Sequence, residues 1–338
     1  MASTDTALEK EVHQHGGDWS GGTEPFRISY GKLMMWYFLL SDAFTFAGFL
    51  IAYGALRFSS PTWPVPDYVF KTHPFGKTEL PLIFVTVMSF LLIISSVTMV
   101  RAVQEGHREN RRGVVLWMLL TVLGGVGFLS CQGWEWTNLI GREHMSVTTN
   151  PFGTHTEAGV YLDENGKESE ETFRAGSSYI MHKAAVVNDE HAEAAEGHGG
   201  ESHAEAGDHG EESHAEGGEH HTMTVMKSEL PMDKPGFYVD ERGYIHRKFK
   251  TSEGISSGDV QIEAFGPSAF GALFFFITGF HGFHVLSGVV FLLIILINAA
   301  SGLYVSRKNG YEMVEKIGLY WHFVDLVWVF VFLVFYLL

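Results

Sequence analysis

The sequence predicts an all-α membrane protein: a five-transmembrane-helix bundle with a large extracytoplasmic insertion. Three observations predict it. Five stretches are apolar enough, at about 20 residues or more, to cross a bilayer core of about 30 Å as helices, the charge is concentrated between the third and fourth of them, and titratable residues recur inside the apolar stretches themselves. A mean hydropathy of +0.07 averages over these two populations and conceals both.

The five stretches run approximately Leu33 to Leu56, Pro81 to Val100, Val114 to Cys131, Phe270 to Ala299 and Ile317 to Leu338. Each must be helical, because lipid offers no water to backbone groups and an open sheet edge would leave them unpaired. The segment 1–30 is polar, without the basic-then-apolar pattern of a cleaved leader, so the first stretch is expected to stay as an anchor. Spans one to three occupy 31–135 and spans four and five 267–338.

Arg101, Arg108, Arg111 and Arg112 crowd the short connection between spans two and three, which the positive-inside rule places in the cytoplasm. Five crossings then put the N-terminus and Arg307, Lys308 and Lys316 inside, and the insertion 136–266 outside. From Pro151 to Leu230 there are 18 acidic against 4 basic residues, a net of −14 out of −16 for the whole chain. No basic patch suited to nucleic acid occurs.

Within the insertion, 188–221 is low-complexity Ala, Glu, Gly and His, with a repeat at Glu201–Glu205 and Glu212–Glu216, and too few large apolar side chains to offset ordering entropy. Either side of it, Val160 to Gly166 carries an Asn-Gly turn signal and Phe237 to Phe249 alternates about a glycine-containing turn, so a small β element is expected. His191, His198, His203, His209, His214, His220 and His221 could collect zinc or copper weakly, although no regular ligand spacing favours that over a solvated acidic spacer. With Cys131 alone, neither a disulfide nor a two-cysteine metal site can form within the chain.

Intramembrane titratable groups are the candidates for chemistry. Asp42 lies about ten residues into the first span; it reads either as a protonatable site near a proton or gas path or as a hydrogen-bonded structural carboxyl. Glu135 is expected at the outer end of the third span, in reach of solvent, in a structural more than a proton-handling role. His281 and His284, three apart, share a helical face, as do His322 and Asp325. Ligation, a proton relay and interhelical hydrogen bonding compete for these four; the last fits best, because histidines three apart cannot reach one iron from opposite sides.

The strings Phe38-Leu-Leu-Ser-Asp42, Ser95-Ser96-Val-Thr98, Gln132-x-x-Glu135-Trp, Phe280-His-Gly-Phe-His-Val285 and Tyr320-Trp-His-Phe-Val-Asp-Leu-Val-Trp328 occur in the order found in subunit III of haem-copper oxidases. The chain resembles that family, in a bacterial five-helix form that begins at what would be the third helix of seven-span members. The resemblance covers the spans and not the insertion. It implies an accessory, non-redox subunit of a proton-pumping terminal oxidase in the bacterial inner membrane. That subunit would pack on subunits I and II, which hold the haem and copper, support proton uptake and stability, and bind phospholipid. It further implies electrons from cytochrome c, with a quinol donor as the alternative, since Asp at position 42 is similar to the quinol-oxidase branch. The insertion could meet other respiratory complexes. Two other classes compete: a metal-ion permease, against which stands the lack of an inverted repeat, and a haem b anchor.

Overall fold

The computed structural model describes residues 29–72, 82–187, 224–226, 231–306 and 310–338. The expected low-complexity segment with its seven candidate metal histidines, most of the N-terminal segment, and Arg307 and Lys308 lie outside the described residues. Among the described residues, five helices are long and apolar enough to cross a membrane: α1 (Tyr30–Ser59), α2 (Ile83–His107), α3 (Arg111–Gly141), α4 (Ser268–Ser301) and α5 (Glu312–Phe332), the last continuing as a π-helical turn, Leu333–Leu337.

The helices outrun the apolar stretches that predict them. The Asn110 side chain accepts from the Gly113 amide at 3.3 Å and starts α3 immediately after the loop, as a polar N-cap does. Gly302, at φ 84°, ends α4 in the left-handed region that glycine adopts without strain. The extension at the far end of α3 overturns one expectation. That helix does not stop near Cys131 but runs ten residues further, so Glu135 is enclosed in the bundle and only 5% exposed. The reason is that Glu135 and Asn138 find polar partners inside, which makes burial of the last helical turns tolerable.

Trp321 of α5 lies at the centre of the bundle, 1% exposed. Its indole N–H donates to Ser95 Oγ of α2 at 3.1 Å. Space for the ring comes from two glycines: a Cβ on Gly125 would stand 2.6 Å from Trp321 and from Val289, and one on Gly288 3.1 Å from Trp321. Close packing of small against large residues substitutes here for a hydrophobic driving force that lipid does not supply. Helix α1 is held more sparsely, burying only Leu39, Phe46 and Tyr53, a single stripe at seven-residue spacing.

The insertion folds as a β cap over one end of the bundle. An antiparallel sheet runs β3 (Glu168–Phe173), β2 (Gly159–Leu162), β9 (Ile245–Thr251), β8 (Phe237–Val239), β7 (Met232–Asp233), with β10 (Val260–Ile262) also paired to β9. Both expected turns form: Gly166 and Gly243 take φ of 78° and 81°, and the Asp163 carboxylate accepts from the amides of Asn165 and Lys167. Smaller pairings join β1 (Phe152–Thr154) to β4 (Ser178–Ile180) and β5 (Ala185–Val187) to β6 (Thr224–Met226). The cap is bolted to helix ends: the Val65 amide donates to Ser178 Oγ, Thr154 Oγ1 to the Trp63 carbonyl, and Asn150 Nδ2 to the Pro267 carbonyl.

If Trp321 is seated by absent side chains, Gly125→Ala should lower stability by about 1–3 kcal/mol through overpacking. Gly133→Ala, whose Cβ meets nothing within 4 Å, should leave it unchanged. Thermal loss of helical circular dichroism in detergent measures both.

Candidate functional site

The candidate residues do not form one cluster; all but His281 take part in separate contacts between helices. Asp42 of α1 meets His284 of α4, with Oδ2 3.1 Å from Nε2. The other imidazole nitrogen, Nδ1, donates to the Phe280 carbonyl at 2.9 Å. Phe46 and Phe280 pack edge-on against the ring, at 5.4 and 4.7 Å between centroids. Tyr320 OH donates to the His284 carbonyl and exchanges a hydrogen bond with Ser287.

This geometry constrains the proton. A carbonyl only accepts, so Nδ1 carries a hydrogen. The contact between Nε2 and Asp42 then holds one further proton in either of two ways. Asp42 as an acid donates to Nε2, or the imidazolium donates to the carboxylate. Both arrangements are net neutral, which suits a site that lipid surrounds. In the second arrangement both charges must be desolvated, and their direct contact offsets part of that cost.

Glu135 accepts from Tyr336 OH at 3.2 and 3.1 Å, tying α3 to the π-helical turn. Tyr336 is a hydrogen-bond partner that motif reading missed, because 201 residues separate the two. His281 is fully buried, with Phe46, Phe128 and Trp328 rings around it. Among the described residues, neither of its nitrogens has a hydrogen-bond partner. His281 and His284 thus share a helix but not a role, and the hydrogen-bonding seam expected of both holds for His284 alone. His322 Nδ1 lies 2.6 Å from Ser96 Oγ of α2; Ser96 also bears on the Asp325 carboxyl. Among the described residues, no group of three or more His, Cys, Asp or Glu is arranged to hold a metal ion.

A second titratable cluster, which sequence reading missed, lies in the cap. Tyr161 OH donates to Glu263 Oε1 at 2.8 Å and contacts His155 Nε2 at 2.8 Å. The Arg247 amide reaches Glu263 Oε2 at 3.3 Å, its guanidinium lies 3.7 Å over the Tyr161 ring, and it pairs with Glu171. Burial pushes the Glu263 carboxyl up to about 7, partly opposed by Tyr161 and Arg247. Burial, with Arg247, pushes the His155 imidazole down to about 4. His155 stacks on Phe173 at 3.7 Å.

The fold and these ties define a class: a polytopic helical membrane protein whose titratable side chains pair between helices. Known proteins narrow it. The sequence profile of the family described as "Cytochrome c oxidase subunit III" matches residues 261–338. A probable cytochrome c oxidase subunit 3 of Rickettsia prowazekii is 36% identical over 95 residues, 28% of this chain and 29% of that protein. Quinol oxidase subunit 3 of Bacillus subtilis is 29% identical over 165 residues, 45% of this chain and 74% of that protein. Cytochrome c oxidase subunit 3 of Schizophyllum commune is 40% identical over 99 residues, 29% of this chain and 31% of that protein. The chain therefore spans about three tenths of the length of the Rickettsia and Schizophyllum relatives. Its last two spans match that family's profile, and the chain is similar to subunit 3 of both cytochrome c and quinol oxidases.

The cap cluster yields a pH prediction. Glu263 has a folded-state value above its usual 4.5, so its contribution is full below 4.5 and is lost as pH rises through 7. His155 has a folded-state value below its usual 6.5, so its contribution is full above 6.5 and is lost as pH falls through 4. The two windows nearly coincide and oppose each other. Amide exchange protection of β2 and β9 should be nearly flat between pH 4.5 and 7 in the native chain. It should fall on acidification in Glu263→Gln and fall on alkalinisation in His155→Phe. Parallel profiles for all three would refute the assignment.

Proposed function

We propose that this chain is the accessory, non-redox subunit III of a proton-pumping haem-copper terminal oxidase that reduces oxygen to water in a bacterial cytoplasmic membrane. It packs on subunit I beside subunit II, with the N-terminus cytoplasmic and the β cap periplasmic. It supports proton uptake and the stability of the catalytic subunit and binds phospholipid along its apolar faces. The carrying observation is the Asp42–His284 pair, a hydrogen-bonded contact that joins the first span to the helix following the cap, inside a chain whose last two spans match the family profile.

Among the described residues, His281 and His284 do not offer a pair of haem ligands. His284 has both nitrogens engaged, and His281 is enclosed by three aromatic rings. Haem and copper then belong to partner chains, and electrons pass through those. The residues here hold and orient: Phe280 fixes the tautomer of His284, Tyr320 fixes its backbone, and Asp42 completes the proton contact.

For the electron donor, cytochrome c is the first reading. The second, a quinol, is favoured by one observation: the Bacillus quinol oxidase subunits align over the longer stretch, 165 residues.

The test is purification through a tag on this chain in mild detergent. Co-purification with a haem-copper chain is expected, all haem residing in that partner, and oxygen consumption with reduced cytochrome c exceeding that with quinol. A stable monomer that binds haem or transports metal ions would contradict the proposal.

A further inference from the structure

The α2–α5 face carries a polar group that no described residue satisfies. Ser96 lies near mid-length of α2, thirteen residues after Ile83 and eleven before His107; His322 is likewise near mid-length of the last span. Both are half-buried, at the outer surface of the bundle. Around them stand exposed apolar side chains, Ile93 and Val97 of α2 and Leu326 and Val329 of α5.

Other hydroxyls within the spans need no outside help. Thr45, Ser89 and Ser130 each donate to the carbonyl four residues back, the usual resolution for a short polar side chain in a membrane helix. His322 has no such recourse. Its Nδ1 is taken by Ser96, and among the described residues its Nε2 has no hydrogen-bond partner. Beside it, Asp325 Oδ1 is buried without one. Lipid tails offer neither donor nor acceptor, and polar groups at this depth face a bundle interior, a water-filled cavity or another helix.

We propose that the α2–α5 face is a docking surface for a transmembrane helix of another oxidase chain, and that this helix presents an uncharged hydrogen-bonding side chain, a hydroxyl or a carboxamide, to His322 Nε2. Such a group meets either tautomer. If Ser96 donates to Asp325, His322 Nδ1–H donates to Ser96 and Nε2 accepts; if Ser96 donates to Nδ1, Nε2–H donates. A hydroxyl or carboxamide both gives and receives, whereas an aliphatic helix does neither. The apolar ring of Ile93, Val97, Leu326 and Val329 excludes lipid around the bond. This inference rests on the subunit III reading and adds to it the face and the chemistry of contact.

Two measurements on the intact complex decide it. A photo-reactive benzoylphenylalanine at Val97 or Leu326 should cross-link on illumination to another oxidase chain. In parallel, His322→Leu should lose this chain from the complex several-fold faster in a detergent wash, while His322→Gln, which keeps a hydrogen-bonding group, should retain it. Adducts with lipid alone, cross-linked copies of this chain, or equal retention of the Leu and Gln variants would overturn the assignment. Co-purification with a haem-copper chain but no cross-link defeats the face alone; absence of co-purification defeats the subunit reading with it.

Discussion

The bilayer core contains almost no water, so polar side chains in the five spans are favoured where they pair with one another inside protein. That constraint orders the bundle. Asp42 with His284 joins α1 to α4; Thr98 with Thr121 joins α2 to α3; Ser95 with Trp321, Ser89 with Trp328 and Ser96 with His322 join α2 to α5. Glu135 with Tyr336 joins α3 to the last turn, and Ser287 with Tyr320 joins α4 to α5. Single bonds of this kind contribute on the order of 0.6 kcal/mol each in membrane proteins. Their role is to fix which faces meet, and aromatic packing around Trp321 and the glycines beside it fills the rest.

Much of this was legible in the sequence because membrane spans are written in composition over about 20 residues. All five were found, and the two turns of the cap announced themselves through Gly166 and Gly243. Helix ends were not legible, since α3 is prolonged to Gly141 by what Glu135 and Asn138 meet, not by apolar residues. The same cause misplaced Glu135. Identity of partners was likewise hidden: Ser96 and His322 are 226 residues apart, and Tyr161 and Glu263 are 102 apart. Nothing local marks such pairs. Motif strings identified the titratable residues, while the assignment of His281 and His284 to different roles needed the rotation of α4 about its axis, which three-residue spacing leaves undetermined.

Helix α1 depends most on a single tie. It buries one narrow stripe, and besides Asp42 its polar contacts lie at its two ends, Lys32 with Glu315 at one and Tyr53 with Trp63 at the other. Asp42 therefore couples a proton-bearing site to the position of the least firmly packed helix. Loss of that contact is expected to loosen the attachment of α1.

The central claim is that Asp42 and His284 act as one unit. A double-mutant cycle of Asp42→Asn, His284→Leu and the pair, read as thermal stability of the purified chain in detergent, tests it directly. The account predicts a coupling energy of about 0.5–2 kcal/mol, the double variant being no less stable than the worse single one. Additive effects would contradict it.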